Sequence, residues 1–140
     1  MTMIVLAVDG SPQSTSAALR LVERPFLLPP LVVHIVHVSP VVGRTGLHTA
    51  EFQEENRQEA DRAFKAANAV LVPVASEVHL HWMHGAAAIE VTRFASEVGA
   101  DVIALGAKGR GAVSSAIVGS VASGIIQRAT IPVIVFTTVR

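Results

Sequence analysis

Two hydrophobic periods alternate along the chain. Met3-Ile-Val-Leu-Ala-Val-Asp9 is a short continuous apolar run that stops in Asp9-Gly10-Ser11-Pro12, which reads as a buried strand ended by turn chemistry. From Ser14 to about Leu21 the period changes: Ala17, Ala18, Leu21 and Val22 recur at helical spacing until Pro25 stops the pattern. Leu31 to Val38 is rich in β-branched residues and closed by Ser39-Pro40, giving a second strand. Residues 39 to 49 carry Pro40, Gly43 and Gly46 without periodicity and read as an exposed loop in which mobility is expected. The long polar stretch from about Ala50 to Leu71 predicts a helix with Glu54, Glu55, Arg57, Glu59, Asp61 and Arg62 on its solvated face, ended or kinked at Pro73.

Val78 to Met83 predicts a third strand, Ala86 to about Val98 a helix closed by Gly99, and Asp101 to Gly106 a fourth strand. A glycine-rich loop, a helix from about Ser115 or Gly119 to Ala129, and a strand Pro132 to Phe136 complete five strands and four helices. Strands alternating with helices require crossover connections, which put helices on both faces of a parallel, doubly wound, Rossmann-like sheet. The apolar run Val102 to Leu105 agrees with burial on both faces. No linker, repeat or low-complexity tract interrupts 1–140, so one domain is expected.

About half of the 140 residues are apolar, yet the apolar runs are strand-sized, short of the ~20 residues of a membrane-spanning helix. No membrane association is expected. The chain opens on a strand-like run without a basic leader, so a secretory signal is not expected and a cytoplasmic location is. Eleven acidic residues balance eleven basic ones, leaving no global field to attract nucleic acid and little repulsion against self-association. The absence of cysteine excludes a disulfide framework, a thiolate metal site and a cysteine nucleophile.

The candidate chemistry lies after the fourth strand. Gly106-Ala-Lys108-Gly109-Arg110-Gly111 leaves that strand, and Gly119-Ser120 lies at or near the start of the next helix. Glycines let backbone amides approach a ligand, and a helix N-terminus offers unpaired N–H groups, so the loop is an anion cradle. Lys108 and Arg110 add cationic side chains and Ser120 a hydroxyl. Gly-Lys-Ser/Thr is absent, and no G-x-G-x-x-G follows the first strand, so neither the Walker nor the dinucleotide fingerprint applies. Where sheet order reverses between the first and fourth strands, this loop flanks the switch-point crevice, and Asp9 at the tip of the first strand faces it.

The spacing Gly106-x2-Gly109-x9-Gly119-Ser120 resembles the G-x2-G-x9-G-[S/T] signature of ATP-binding universal stress proteins. The similarity extends over Val5-Leu-Ala-Val-Asp9-Gly-Ser11, His37-Val38, Ala100 to Gly106, Gly119-Ser-Val121-Ala and Pro132-Val-Ile-Val. The resemblance implies strand order 3-2-1-4-5 and ATP, with or without Mg²⁺, as ligand. It implies Asp9 at the nucleoside, the Val38 backbone at adenine, Gly106 and Gly109 along the ribose and phosphates, and Gly119, Ser120 and Val121 at the phosphates. Ser11 and Gly111 complete the candidate binding set. Family members commonly carry Gly-x-Pro after the third strand, whereas this chain has Gly85-Ala86-Ala87. The resemblance also implies a homodimer through Pro132 to Phe136, an uncharged strand at a sheet edge.

Other readings are weaker. Asp9 could simply cap the turn before the first helix. His79 and His81 share one face of the third strand but lack a third ligand of fixed spacing, so a polar edge is expected rather than a metal site. His34 and His37 fall on opposite faces of the second strand. No G-x-S-x-G elbow supports a serine hydrolase. With no catalytic base, arginine finger or carboxylate cluster in view, a regulatory nucleotide-binding module with slow or absent hydrolysis is expected. The alternatives are a dimeric interaction module without nucleotide and a nucleotidyl- or phosphoryl-transfer enzyme on a related fold.

Overall fold

A computed structural model describes residues 1–23, 26–41, 49–107 and 119–137. In chain order the elements are β1 (Thr2–Ala7), α1 (Pro12–Glu23), β2 (Leu31–Ser39), α2 (Ala50–Leu71), β3 (Glu77–His84), α3 (Ala87–Val98), β4 (Val102–Gly106), α4 (Ser120–Arg128) and β5 (Val133–Phe136). The strands form one sheet in the order β3-β2-β1-β4-β5, and every pairing is parallel.

The pleat sorts alternate residues into two apolar layers. Ile4 and Leu6 of β1, Val33 and Ile35 of β2, and Ala104 of β4 pack against Ala17, Ala18 and Leu21 of α1 and Ala63, Ala67 and Leu71 of α2. Val5, Val36, Ile103 and Leu105 project the other way, onto Val91 and Phe94 of α3 and Ala122 and Ile125 of α4. This double-sided burial is why β1, β2 and β4 read as unbroken apolar runs. The helices supply small residues where they approach closely: a Cβ on Gly124 would come within 2.7 Å of the Ala88 Cβ across the α3–α4 contact.

Local chemistry sets the ends. The Thr49 side chain accepts a hydrogen bond from the Phe52 N–H and opens α2, whose acidic and basic residues occupy the exposed face as the pattern predicts. Gly99, left-handed at φ 69°, closes α3. Several bounds differ from the sequence reading by one or two residues. β1 stops at Ala7 rather than Asp9, and the turn that follows carries Gly10 at φ 79°. The first helix begins at Pro12, where the fixed φ of proline suits a first helical position, rather than at Ser14. Pro25 and the alternative fourth-helix start at Ser115 lie outside the described residues. Among the described residues no helix is long and apolar enough to cross a membrane.

Candidate functional site

The sheet order reverses direction between β1 and β4, and a cleft of about 180 Å³ opens there at the carboxyl ends of β1, β2 and β4. Asp9, Ser11, Val38, Gly106, Gly119, Ser120 and Val121 all line it. Lys108, Gly109, Arg110 and Gly111 lie outside the described residues, in the segment that joins Ala107 to Gly119.

On the β1 side, hydrogen bonds close the turn onto itself. Asp9 Oδ1 accepts from the Ser11 N–H at 2.9 Å, Ser11 Oγ accepts from the Ser14 N–H at 3.2 Å, and Ser14 Oγ accepts from the Asp9 N–H at 3.2 Å. Asp9 and Ser11 therefore build the start of α1 while also lining the cleft, so the capping role weighed for Asp9 is present in the structure. Gly106 is placed by the same corner: a Cβ there would lie 2.4 Å from the Gln13 carbonyl oxygen. Its missing side chain lets α1 sit against the end of β4.

On the β4 side, no side chain among the described residues caps the helix terminus. Gly119 holds φ 95° and ψ 155°, a backbone conformation that L side chains rarely adopt, and α4 starts at Ser120 with no side-chain cap. The first-turn amides of α4 thus border the cleft as donors, with the partial positive charge of the helix behind them. Between the two rims the wall is apolar. Val36, Ala87, Val91, Leu105 and Ala122 line it, and apart from Ala87, noted where family members carry proline, none was singled out as a site residue, because a residue lining a cleft carries the same apolar signal as one in the core. Gln13 was missed for a different reason: a lone glutamine in a helical pattern reads as surface. Where family members carry proline, Ala87 occupies the first position of α3, one at which proline is well tolerated.

At the end of β2, His37 is 4% exposed and its ring meets Phe64 edge-on, with centroids 6.2 Å apart. Its Nδ1–H donates to the Val8 carbonyl at 2.8 Å. Nothing in the sequence reading gave this histidine a side-chain role.

Three other histidines gather on the α3 side. His34 stacks on His79 at 4.9 Å between centroids, and His34 Nδ1 lies 2.9 Å from His81 Nε2, with Phe94 against both His34 and His81. The edge position expected for His79 and His81 is observed, and the cross-strand neighbour is His34, invisible until the β2–β3 register is known. Burial first, then His79, holds His34 below the ordinary histidine value, against the pull of Glu77. Burial first, then His34 and His79, does the same to His81. Among the described residues no three histidine, aspartate or glutamate side chains are placed to hold a metal ion.

A family model described as the universal stress protein family matches residues 1–137. A universal stress protein of Methanocaldococcus jannaschii is 30% identical over 135 residues, 94% of this chain and 79% of that protein. Among solved structures, a universal stress protein of Archaeoglobus fulgidus superposes with a TM-score of 0.75 at 27% identity, covering 96% of this chain and 97% of that one. The protein from the same organism in complex with dAMP gives a TM-score of 0.70 at 26% identity, covering 96% of both chains.

Proposed function

The chain belongs to the universal stress protein family, and within it we propose that this protein is an adenine-nucleotide-binding regulatory module whose ligand is ATP, with or without Mg²⁺. The observation that carries the reading is the uncapped N-terminus of α4 opening onto an apolar cleft at the switch point. Apolar walls suit a base, and unpaired helix amides suit a phosphate. In this reading the base lies against Val38, the ribose near Asp9 and Gly106, and the phosphates on Gly119, Ser120 and Val121. Lys108, Gly109, Arg110 and Gly111 belong to the same phosphate-binding set by their place in the sequence. The dAMP complex of the Archaeoglobus relative supports the ligand class by kinship.

Turnover is slow or absent in this reading. The described carboxylate of the cleft, Asp9, is engaged at the start of α1, so a phosphate-release assay should read well under the ~10 s⁻¹ of a median enzyme. Calorimetry tests the binding itself. ATP should bind at least roughly tenfold more tightly than GTP, and Gly109→Val should remove most of that affinity. Equal affinity in parent and variant would overturn the loop assignment. Absence of any nucleotide binding would favour the interaction module instead.

The same reading includes a homodimer. β5 is an edge strand without charge, and the Ile103 N–H donates to the Pro132 carbonyl and the Ala107 N–H to the Phe136 carbonyl. Positions 132, 134 and 136 therefore bond towards β4, and the amides of Val133 and Val135 face the open edge. Antiparallel pairing with β5 of a second copy closes that edge without leaving one to propagate. Lysine at Val133 or Val135 would be an unclean test, since both side chains pack into the α3–α4 layer. Val135→Pro removes an outward donor while keeping an apolar side chain. Light scattering should report a dimer for the parent and a monomer for the variant; a monomeric parent would end the proposal.

A further inference from the structure

The backbone of β2 alternates between its two neighbours. The Leu31 carbonyl accepts from the Ser76 N–H and the Ser39 carbonyl from the Gly85 N–H, so odd-numbered residues bond towards β3. The Pro30 carbonyl accepts from the Thr2 N–H and the Val36 carbonyl from the Val8 N–H, so even-numbered residues bond towards β1. In a parallel ladder the next rung would run from the Val38 N–H to the Val8 carbonyl. That rung is not among the backbone bonds of the described residues. The Val8 carbonyl is instead taken by His37 Nδ1 at 2.8 Å, from a side chain almost wholly buried beside Phe64.

A carbonyl only accepts, so Nδ1 carries the proton of this hydrogen bond. Nε2 is buried and has no hydrogen-bond partner among the described residues. A buried polar atom without a partner is a cost to folding, and the fold carries it with this ring held on the Val8 carbonyl.

We infer that His37 is a positioning residue: by occupying the Val8 carbonyl it ends the β1–β2 ladder one rung early and leaves the Val38 N–H facing the cleft as a donor to a bound purine. The identity of the ligand rests on the function proposed above; the state of the Val38 amide does not. The chemistry selects a base. An outward N–H and C=O on one residue match a ring nitrogen that accepts beside an exocyclic amino group that donates, the pattern of adenine. Guanine presents a ring N–H and a carbonyl at the corresponding edge, so donor meets donor and acceptor meets acceptor.

The first test needs no ligand. Amide hydrogen exchange by NMR is measured on the parent, on His37→Leu, which keeps an apolar side chain against Phe64 but cannot donate, and on His37→Asn, whose side-chain amide can replace the Nδ1 donor. The Val38 amide should exchange rapidly in the parent, slow by roughly tenfold or more in His37→Leu as the rung closes onto Val8, and stay rapid in His37→Asn. A parent in which Val38 is as protected as Val36, or a leucine variant that leaves Val38 exchange unchanged, would overturn the assignment.

The second test reads specificity by calorimetry. His37→Leu should lose about tenfold in ATP affinity with no change for inorganic tripolyphosphate, which has no base, and His37→Asn should restore ATP. Equal loss for ATP and tripolyphosphate would show a structural role only and reject the inference. If the parent binds no purine nucleotide, the proposed function fails, while the exchange measurement still decides what His37 does.

Discussion

Two helices point their N-termini into the same cleft, and they end in opposite ways. α1 is closed by its own side chains: Ser11 Oγ takes the Ser14 N–H and Asp9 Oδ1 takes the Ser11 N–H. α4 has Gly119 where a cap would stand and, among the described residues, no side-chain cap hydrogen bond. The dipole and the amides of a helix start are the same in both cases. What differs is whether the sequence has already spent them. The cleft therefore has a finished wall, which shapes it, and an unfinished one, which an anion would complete.

The contrast is broken most severely at the joint between the two sides. Gly106→Val would drive a side chain into the backbone of Gln13, where even a Cβ stands 2.7 Å from the carbonyl carbon, and neither a strand end nor a first helical turn can yield cheaply. Urea denaturation should show a loss of roughly 3 kcal/mol or more. An unchanged midpoint would mean that α1 is not held against β4.

A smaller change sharpens the contrast by finishing the unfinished wall. Ser120→Asp puts a carboxylate in the first turn of α4, where it should stabilise the helix by up to about 1 kcal/mol. The same charge should repel a phosphate, so ATP affinity should fall by roughly tenfold or more while the melting temperature holds or rises. Tight ATP binding by this variant would place the anion elsewhere.

The smallest effect is expected on the finished wall. Ser11→Ala removes one capping acceptor and should cost about 1 kcal/mol in thermal unfolding. Nucleotide affinity measured by calorimetry should move far less than in Ser120→Asp. A larger loss of binding than of stability would make Ser11 a ligand contact first and a cap second.

The sequence made the sheet readable because its central strands are buried on both faces and turn and stop residues mark the ends of its elements, as at Ser39-Pro40 after β2 and Gly99 after α3. It also brought seven candidate residues to one cleft: Asp9, Ser11, Gly106, Gly119 and Ser120 stand out at strand ends and a helix start, whereas Val38 and Val121 entered only through the family resemblance. The apolar wall formed by Val36, Val91 and Leu105 stayed hidden, since nothing in composition separates a residue facing a void from one facing a neighbour. The histidines show the other limit. His34 meets His79 and His81 only through the register of two strands more than forty residues apart, and His37 acts through a carbonyl that no side-chain pattern records.

The Gln13 carbonyl above Gly106 also bears on descent. A lineage that abandoned its ligand would still be held to glycine at that position, because packing alone forbids a side chain there, and Gly119 is held by its own backbone at φ 95°. Such glycines are inherited as architecture. Ser120, exposed on the first turn of α4, has no packing reason of that kind. Drift in this family should therefore erase the serine first and the glycines last, so that a relative keeping both glycines but not the hydroxyl is a fossil of binding rather than a case of it.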